Sequence, residues 1–408
     1  MIKMDALVNV AEDQKKKLSD SAVRSQLNMA VMLKKDQIED LKAGKIYSYN
    51  INDKIYHVVD GFFTKIAFGP DYNFIFDKRD GDFKRWGTSF EDDPLFSPIG
   101  PEILDLEISV NGCPNGCNFC YKNNTNEPAQ NMPFETFKHI MDNMPKSLTQ
   151  IAFGITGIQT HPDFLKMMHY CREIGIIPNF TLSGIDLTNE MAEKCAKVIG
   201  ALAVSAYQTD KNVCYDAVKK FVDLGIKQAN IHLMVSQETL PFVYEVLEDR
   251  QNDPRLKGMS SIVFLGVKPK GRATDGFHSL SVEEYDKLIQ YCFERDLAIG
   301  FDSCSAPKFE AAVKGMDIEE KRKKALVECS ESCESSLFSS YINFKGEYWH
   351  CSFSEEESGQ TFVDVASAEN FLKDVWYSKS VRTFRDKSLE SMVDGCRFCN
   401  VFPAINPQ

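Results

Sequence analysis

From position 103 onward the chain alternates between two rhythms. Short β-rich runs lie near 103–110, 149–154, 177–182, 201–207, 228–235 and 261–267, and each is followed by apolar residues at helical spacing. Six strand-then-helix units predict an α/β region of parallel strands joined by right-handed crossovers. Periodicity alone leaves an open doubly wound sheet and a partial barrel both standing. After a helical segment near 281–295 the alternation ends at 297–303, and the remainder is irregular, rich in Ser and Glu. A domain boundary is expected there.

The first hundred residues follow another pattern. Residues 11–43 read as helical, with Leu18, Val23, Leu27, Val31 and Ile38 among charged neighbours and Gly44 placed to stop the helix. Alternating segments at 45–51 and 54–59 then flank Asn52-Asp53, and a second pair at 73–77 and 82–86 flanks Asp80-Gly81, so two hairpins are predicted. The acidic, Pro-containing stretch 91–101 marks a boundary. The chain thus divides into a helix-and-hairpin region (1–100), the βα region (101–300) and a small cysteine-rich region (301–408).

Composition narrows the function. The 408 residues, 43% of them apolar, suffice for two or three packed cores. Lys and Arg number 47 against 59 Asp and Glu, a net charge of -12 that repels a phosphate backbone. The basic runs at 15–17 and 321–324 are short and flanked by acids, so no nucleic-acid partner is expected. No stretch reaches the length of a membrane span, and Asp5, Glu12 and Asp13 interrupt any signal-peptide core, so a cytoplasmic protein without a membrane partner is expected.

The thirteen cysteines are unevenly spread, three within eight residues and six beyond position 300, and clustering in a reducing compartment points to metal. Cys171, Cys195, Cys214 and Cys292 sit in helical patterns and read as buried, inert thiols. Directly after the first strand of the βα region, Cys113, Cys117 and Cys120 form C-x3-C-x2-C on one short loop. A structural zinc site closes four ligands, whereas a 4Fe-4S cluster held by three cysteines leaves one iron open for chemistry. Gly112 and Gly116 let that loop turn tightly at a strand's C-terminal end, where α/β folds build active sites.

The second group comprises Cys304, Cys329, Cys333, Cys351, Cys396 and Cys399. Cys333 and Cys351 stand in C-x17-C, a 44-residue gap follows, and Cys396 and Cys399 form C-x2-C. Gly346 opens a G-x4-C ending in Cys351. Four such cysteines suit either an auxiliary cluster or a zinc ribbon, with Cys304 and Cys329 surplus. Cys304 is expected to be a buried thiol near a strand end, and His350 an exposed hairpin residue.

Residues 103–300 resemble the radical S-adenosylmethionine superfamily, on the C-x3-C-x2-C loop after the first strand, the aromatic Phe119 before the third cysteine, and the following βα units. The resemblance implies a partial (β/α)6 TIM-like barrel. It implies that Cys113, Cys117 and Cys120 hold a catalytic 4Fe-4S cluster whose open iron chelates S-adenosyl-L-methionine. Reductive cleavage would then yield a 5′-deoxyadenosyl radical that abstracts a substrate hydrogen. Phe119 is implied near the adenine, with further cofactor contacts at Gly154, Thr156, Gly157, Ser183, Ser205 and Gly266. Where the family carries Gly-Gly-Glu this chain reads Gly154-Ile155-Thr156-Gly157, so the acid that meets the methionine amino group is missing; backbone carbonyls and the Thr156 hydroxyl remain. The C-terminal region resembles a twitch or shortened SPASM module, which implies a second, auxiliary 4Fe-4S cluster on Cys333, Cys351, Cys396 and Cys399.

The implied activity is that of a radical oxidoreductase served by a flavodoxin- or ferredoxin-like electron donor, acting on a peptide or protein by oxidation or cross-linking. Residues of acid or base catalysis are not evident. The N-terminal hairpins would either grip a peptide by strand addition or cover the bottom or edge of the barrel. A small-molecule radical dehydrogenase and a non-catalytic, zinc-stabilised binding protein are the alternatives.

Overall fold

A computed structural model of the protein describes residues 33–393 and 395–407. Of the helix expected over 11–43, the part up to position 32 lies outside the described residues, and the rest is helix α1 (Lys35–Lys42). The N-terminal sheet is an antiparallel meander of β1 (Lys45–Ile51), β2 (Lys54–Asp60), β3 (Thr64–Phe68), β4 (Asn73–Asp77) and β5 (Phe83–Trp86). Both expected hairpins are present. Asn52 and Asp53 have φ of 50° and 63°, the two left-handed residues that a tight hairpin turn requires, and Ile51 pairs with Lys54 across it. The period of two sorts the faces. Val59, Ile66 and Ile75 pack with Leu41 of α1, while Tyr56, Val58, Ala67, Phe74 and Phe76 face the main core.

The second sheet carries the βα units. Strands β6 (Ile103–Glu107), β7 (Gln150–Gly154), β8 (Ile177–Leu182), β9 (Ala201–Ser205), β10 (Gln228–Val235), β11 (Ile262–Gly266) and the short β12 (Ile299–Phe301) are parallel neighbours in that order. Helices α2 (Phe134–Asn143), α3 (Phe164–Glu173), α4 (Asn189–Ala196), α5 (Lys211–Asp223), α6 (Leu240–Asn252) and α7 (Val282–Glu294) provide the crossovers. Their starts are encoded locally: Thr188 and Asp210 cap α4 and α5, and Ser281 with Glu284 forms a capping box on α7. Leu106, Phe153, Phe180, Val204, Leu233 and Phe264 are buried in the layer shared with the helices. The alternate positions Asp105, Ala152, Thr181, Ser205, His232 and Leu265 keep access to solvent. They line a lumen, and the architecture is a partial barrel rather than a two-sided open sheet.

The C-terminal region continues the same sheet. After α8 (Ala306–Gly315) and α9 (Glu320–Glu328), β13 (Ser339–Ile342) pairs in parallel with β6, Ser339 opposite Ile103, and β14 (Glu347–Trp349) and β15 (Val363–Asp364) follow antiparallel. Hydrogen bonding therefore runs unbroken through ten strands. Helix α10 (Lys379–Glu390) closes the region.

The N-terminal sheet sits under the barrel. Lys65 donates to the Leu148 carbonyl at 2.7 Å, Tyr72 donates to Glu102 at 2.6 Å, and the Gln228 amide reaches the Asp80 carbonyl. Leu148, Glu102 and Gln228 all stand at the N-terminal ends of barrel strands, so of the two expected placements the bottom is the one observed.

Candidate active site

The opposite, C-terminal ends of the strands carry the first cysteine loop. Asn111, Gly112 and Gly116 have φ of 57°, 61° and 57°, which turn the chain back on itself after β6. A Cβ on Gly112 would sit 2.9 Å from that of Ala129, so the glycine also permits the close return. Gly271-Arg272, in the loop after β11, grips the same loop from across the mouth. Arg272 donates from Nε to the Cys117 carbonyl at 2.7 Å, from its backbone to the Cys120 carbonyl at 3.0 Å, and from both terminal nitrogens to Asn124.

Cys117 lies within electrostatic reach of Cys113 and Cys120. Burial, then the charges of Cys113 and Cys120, push Cys117 up to about 11, although the Tyr207 hydroxyl donates to it. A Cys117 thiolate here needs a cationic centre to hold it ionised. Among the described residues no three His, Cys, Asp or Glu side chains converge on a point that a single metal ion could fill. A 4Fe-4S cluster would take each thiolate on a different iron and so needs no single shared point. Phe119 stacks on Tyr207 at 6.1 Å and meets Phe277 edge-on at 5.8 Å, forming an aromatic wall beside the loop.

The other candidate residues are distributed around the mouth. Gly154 ends β7 and is open to solvent. The Thr156 amide donates to Ser109 Oγ at 3.2 Å, and its hydroxyl lies 3.3 Å from the same atom. The Gly157 carbonyl accepts from Thr160, and a Cβ there would lie 3.8 Å from the Gly112 carbonyl, which brings this turn against the cysteine loop. Ser183 is buried, and its hydroxyl accepts from the Ile185 amide at 3.3 Å, a local turn. Ser205 reaches the Tyr207 hydroxyl. At Gly266 a Cβ would come within 2.8 Å of Ser305 Oγ, so its close neighbour is the turn after β12.

A charge network at the mouth was not evident in the sequence. Lys122, two residues after Cys120, lies 3.0 Å from Glu107, bonds Glu355 and donates to the Tyr341 hydroxyl at 2.6 Å. Tyr341 donates in turn to Glu355 at 2.9 Å, and Asn343 to Glu355 at 2.7 Å. The usable signal was Glu107, an acid at the C-terminal end of a barrel strand. The network and the Tyr121–Phe353 ring contact at 4.6 Å tie the cysteine loop to the segment that follows Cys351.

The second cysteine group gathers there. Cys333, Cys351 and Cys399 lie close enough to act on one another electrostatically, and Cys304, after β12, joins them beside Lys268. Cys399 Sγ accepts from the Phe402 amide at 3.2 Å, and Arg397 donates to the Cys333 carbonyl at 2.5 Å. Cys396 turns its thiol onto Glu310 and Ser332 instead, and Cys329 is exposed at the end of α9. Cys171, Cys195, Cys214 and Cys292 are buried. His350 corrects its expected exposure: it is buried, stacked on Phe384 at 4.1 Å, and bonded to Ser336 at 3.2 Å, because β14 packs under α10. A groove of ≈ 610 Å³ lies elsewhere, between the Gly184–Thr188 loop and α5, and none of the candidate residues lines it.

Solved structures share this architecture. SuiB of Streptococcus suis, bound to S-adenosylmethionine, is 16% identical with a TM-score of 0.57, over 76% of this chain and 77% of that one. SuiB bound to its precursor peptide SuiA gives 14% identity and a TM-score of 0.55, over 75% and 70%. Native anSMEcpe with bound AdoMet and Cp18Cys peptide gives 14% and 0.53, over 70% and 82%. The chain has the fold of these S-adenosylmethionine-bound structures. No family model matches the sequence, and no curated protein matches it. In a chain of this fold the cysteine loop, the β7 turn and the aromatic wall all stand at the mouth of the barrel. Among the described residues no helix is long and apolar enough to cross a membrane.

Proposed function

We propose that the protein is a radical S-adenosylmethionine enzyme that acts on a peptide, with a 4Fe-4S cluster held by Cys113, Cys117 and Cys120. One observation carries this reading: a single loop presents three thiols, Cys117 in electrostatic reach of Cys113 and Cys120, at the open mouth of a barrel of this fold. Bound there, such a cluster supplies an electron that splits S-adenosylmethionine and starts hydrogen abstraction from substrate. Arg272 fixes the loop backbone, Tyr207 donates to Cys117, and Phe119 with Tyr207 offers a flat apolar face for the adenine. Thr156 and the carbonyls of the β7 turn offer acceptors for the methionine ammonium in place of the missing acid. A peptide substrate is favoured because SuiB binds SuiA, and anSMEcpe a Cp18Cys peptide, on the same architecture.

The second cysteine group is read as an auxiliary 4Fe-4S site serving structure or electron transfer, fed by a flavodoxin- or ferredoxin-like donor in the cytoplasm. Cys333, Cys351 and Cys399 belong to it. The fourth ligand is Cys396 by spacing, while Cys304 is the nearer thiol. Iron content of Cys396→Ala and Cys304→Ala separates the two.

The test is anaerobic incubation of the iron-loaded protein with reductant and S-adenosylmethionine. 5′-Deoxyadenosine is the expected product, with about eight irons per chain. Fully loaded protein that forms none overturns the reading, and one zinc per chain in its place supports the binding-protein alternative.

A further inference from the structure

We propose that Asp105 anchors a cationic group of the substrate, a protonated amine or guanidinium, inside the barrel lumen. The inference rests on the enzyme reading above and names what its lumen recognises.

The position comes from the strand. Leu104 and Leu106 are fully buried on the helix side of β6, so Asp105 and Glu107 share the other face. Glu107 marks where that face leads, because it meets Lys122 of the cysteine loop and Tyr341, the strand neighbour of Asp105. Asp105 is therefore one step below the mouth on the inner wall. It is open to solvent, yet so enclosed by protein that burial alone pushes its carboxyl up to about 6. A water-filled chamber produces that combination and an outer surface does not.

No partner within the protein answers this acid. Among the described residues the Asp105 carboxylate makes no hydrogen bond or ion pair, and no lysine or arginine is near enough to act on its charge. The cations around the chamber are engaged elsewhere: Lys122 with Glu107 and Glu355, Lys268 with Asp302, Lys270 with Glu357, and Arg272 with backbone carbonyls. From below, Lys65 is held by Leu148 and Asp60. The imidazole of His232, on the lumen side of β10, also makes no hydrogen bond among the described residues, but burial holds it down to about 4, against a smaller pull from Asp302. It is neutral at physiological pH and supplies no counter-charge. A lumen carboxylate on which no cation of the fold acts, with Lys122, Lys268, Lys270 and Arg272 engaged elsewhere, finds its counter-ion in what enters.

The cation can belong to a lysine or arginine side chain of a peptide or to a free amine, and binding measurements on the iron-loaded protein with S-adenosylmethionine distinguish them. The peptide pair is acetyl-Gly-Lys-Gly-amide against its norleucine counterpart; the small pair is n-butylammonium against n-butanol. Calorimetric titration should show the cation of at least one pair binding about tenfold or more tightly than its neutral mate, the scale of one charged hydrogen bond. Preference within the peptide pair alone assigns a side chain, and preference within the small pair assigns a free amine. Asp105→Asn should erase the preference and Asp105→Glu should keep it. Survival of the preference in Asp105→Asn, or no preference in either pair with the unmodified protein, overturns the anchor. The enzyme reading is scored separately on the unmodified protein. 5′-Deoxyadenosine without cation preference removes the anchor and leaves the enzyme, and preference without 5′-deoxyadenosine does the reverse.

Discussion

The two ends of the barrel bury charge in opposite ways. At the base, Arg85 lies 2.9 Å from Glu102 and 3.1 Å from Glu334, covers the Phe338 ring at 3.6 Å, and shares Glu102 with the Tyr72 hydroxyl. Arg85 joins both carboxylates, which burial still raises to about 7 at Glu102 and about 8 at Glu334, and together they bind the N-terminal sheet, the barrel and the C-terminal region at one point. Three residues beyond Glu102, the Asp105 carboxylate has no answering group, and above it Cys117 meets Cys113 and Cys120 without a counter-charge. Completed networks fix a structure, and incomplete ones inside a cavity mark where a ligand completes them.

The largest expected effect falls at the mouth. Cys117→Ala should abolish 5′-deoxyadenosine formation and lower iron from about eight to about four per chain, leaving the auxiliary site loaded; unchanged iron would detach this loop from the cluster. Next comes the base. Arg85→Ala strands two buried carboxylates and should cost about 3–5 kcal/mol in denaturant unfolding, and a loss near zero would mean that the network is decorative. Between the two ends, Lys122→Met leaves Glu107 and Glu355 without their cation and should cost about 1–3 kcal/mol. Faster proteolysis within 352–357 should accompany it, because that segment is held to the cysteine loop through Lys122.

The smallest effect sharpens the contrast by pH. An aspartate ionises near 3.9 when unfolded, and burial lifts Asp105 to about 6 in the folded protein. The folded state therefore holds this proton more tightly, so the acid costs nothing below about pH 4, and its penalty grows as pH rises to about 6 and stays constant above. Asp105→Asn should match the unmodified protein in melting temperature below about pH 4 and exceed it above about pH 6. A variant less stable at neutral pH would show that Asp105 has a partner in the fold.

The local rules were legible where one residue type decides the outcome. Asn52-Asp53 and Asp80-Gly81 announced their hairpins because few residues accept left-handed φ, and the six βα strands showed as apolar runs between helical stretches. Strand β3 was missed: Thr64 to Ile66 are buried, Lys65 among them, so the half-buried alternation that reveals a strand is absent. His350 was misjudged for a related reason, since α10, which covers β14, comes some thirty residues later in the chain.

By itself the sequence determined the cysteine spacing, the alternation of strands and helices and the glycines that let the loop after β6 turn, because all of these are written within short windows. Periodicity fits a barrel and an open sheet equally, and only the resemblance carried by the cysteine loop favours the barrel. Only the tertiary structure decided that β13 pairs with β6, that the N-terminal sheet closes the bottom, that Lys122 bridges Glu107 and Glu355, and that Asp105 stands alone. Those facts depend on which residues from distant segments share one small volume. The cost of a buried charge is set by its neighbours, and neighbours exist only after the chain has folded.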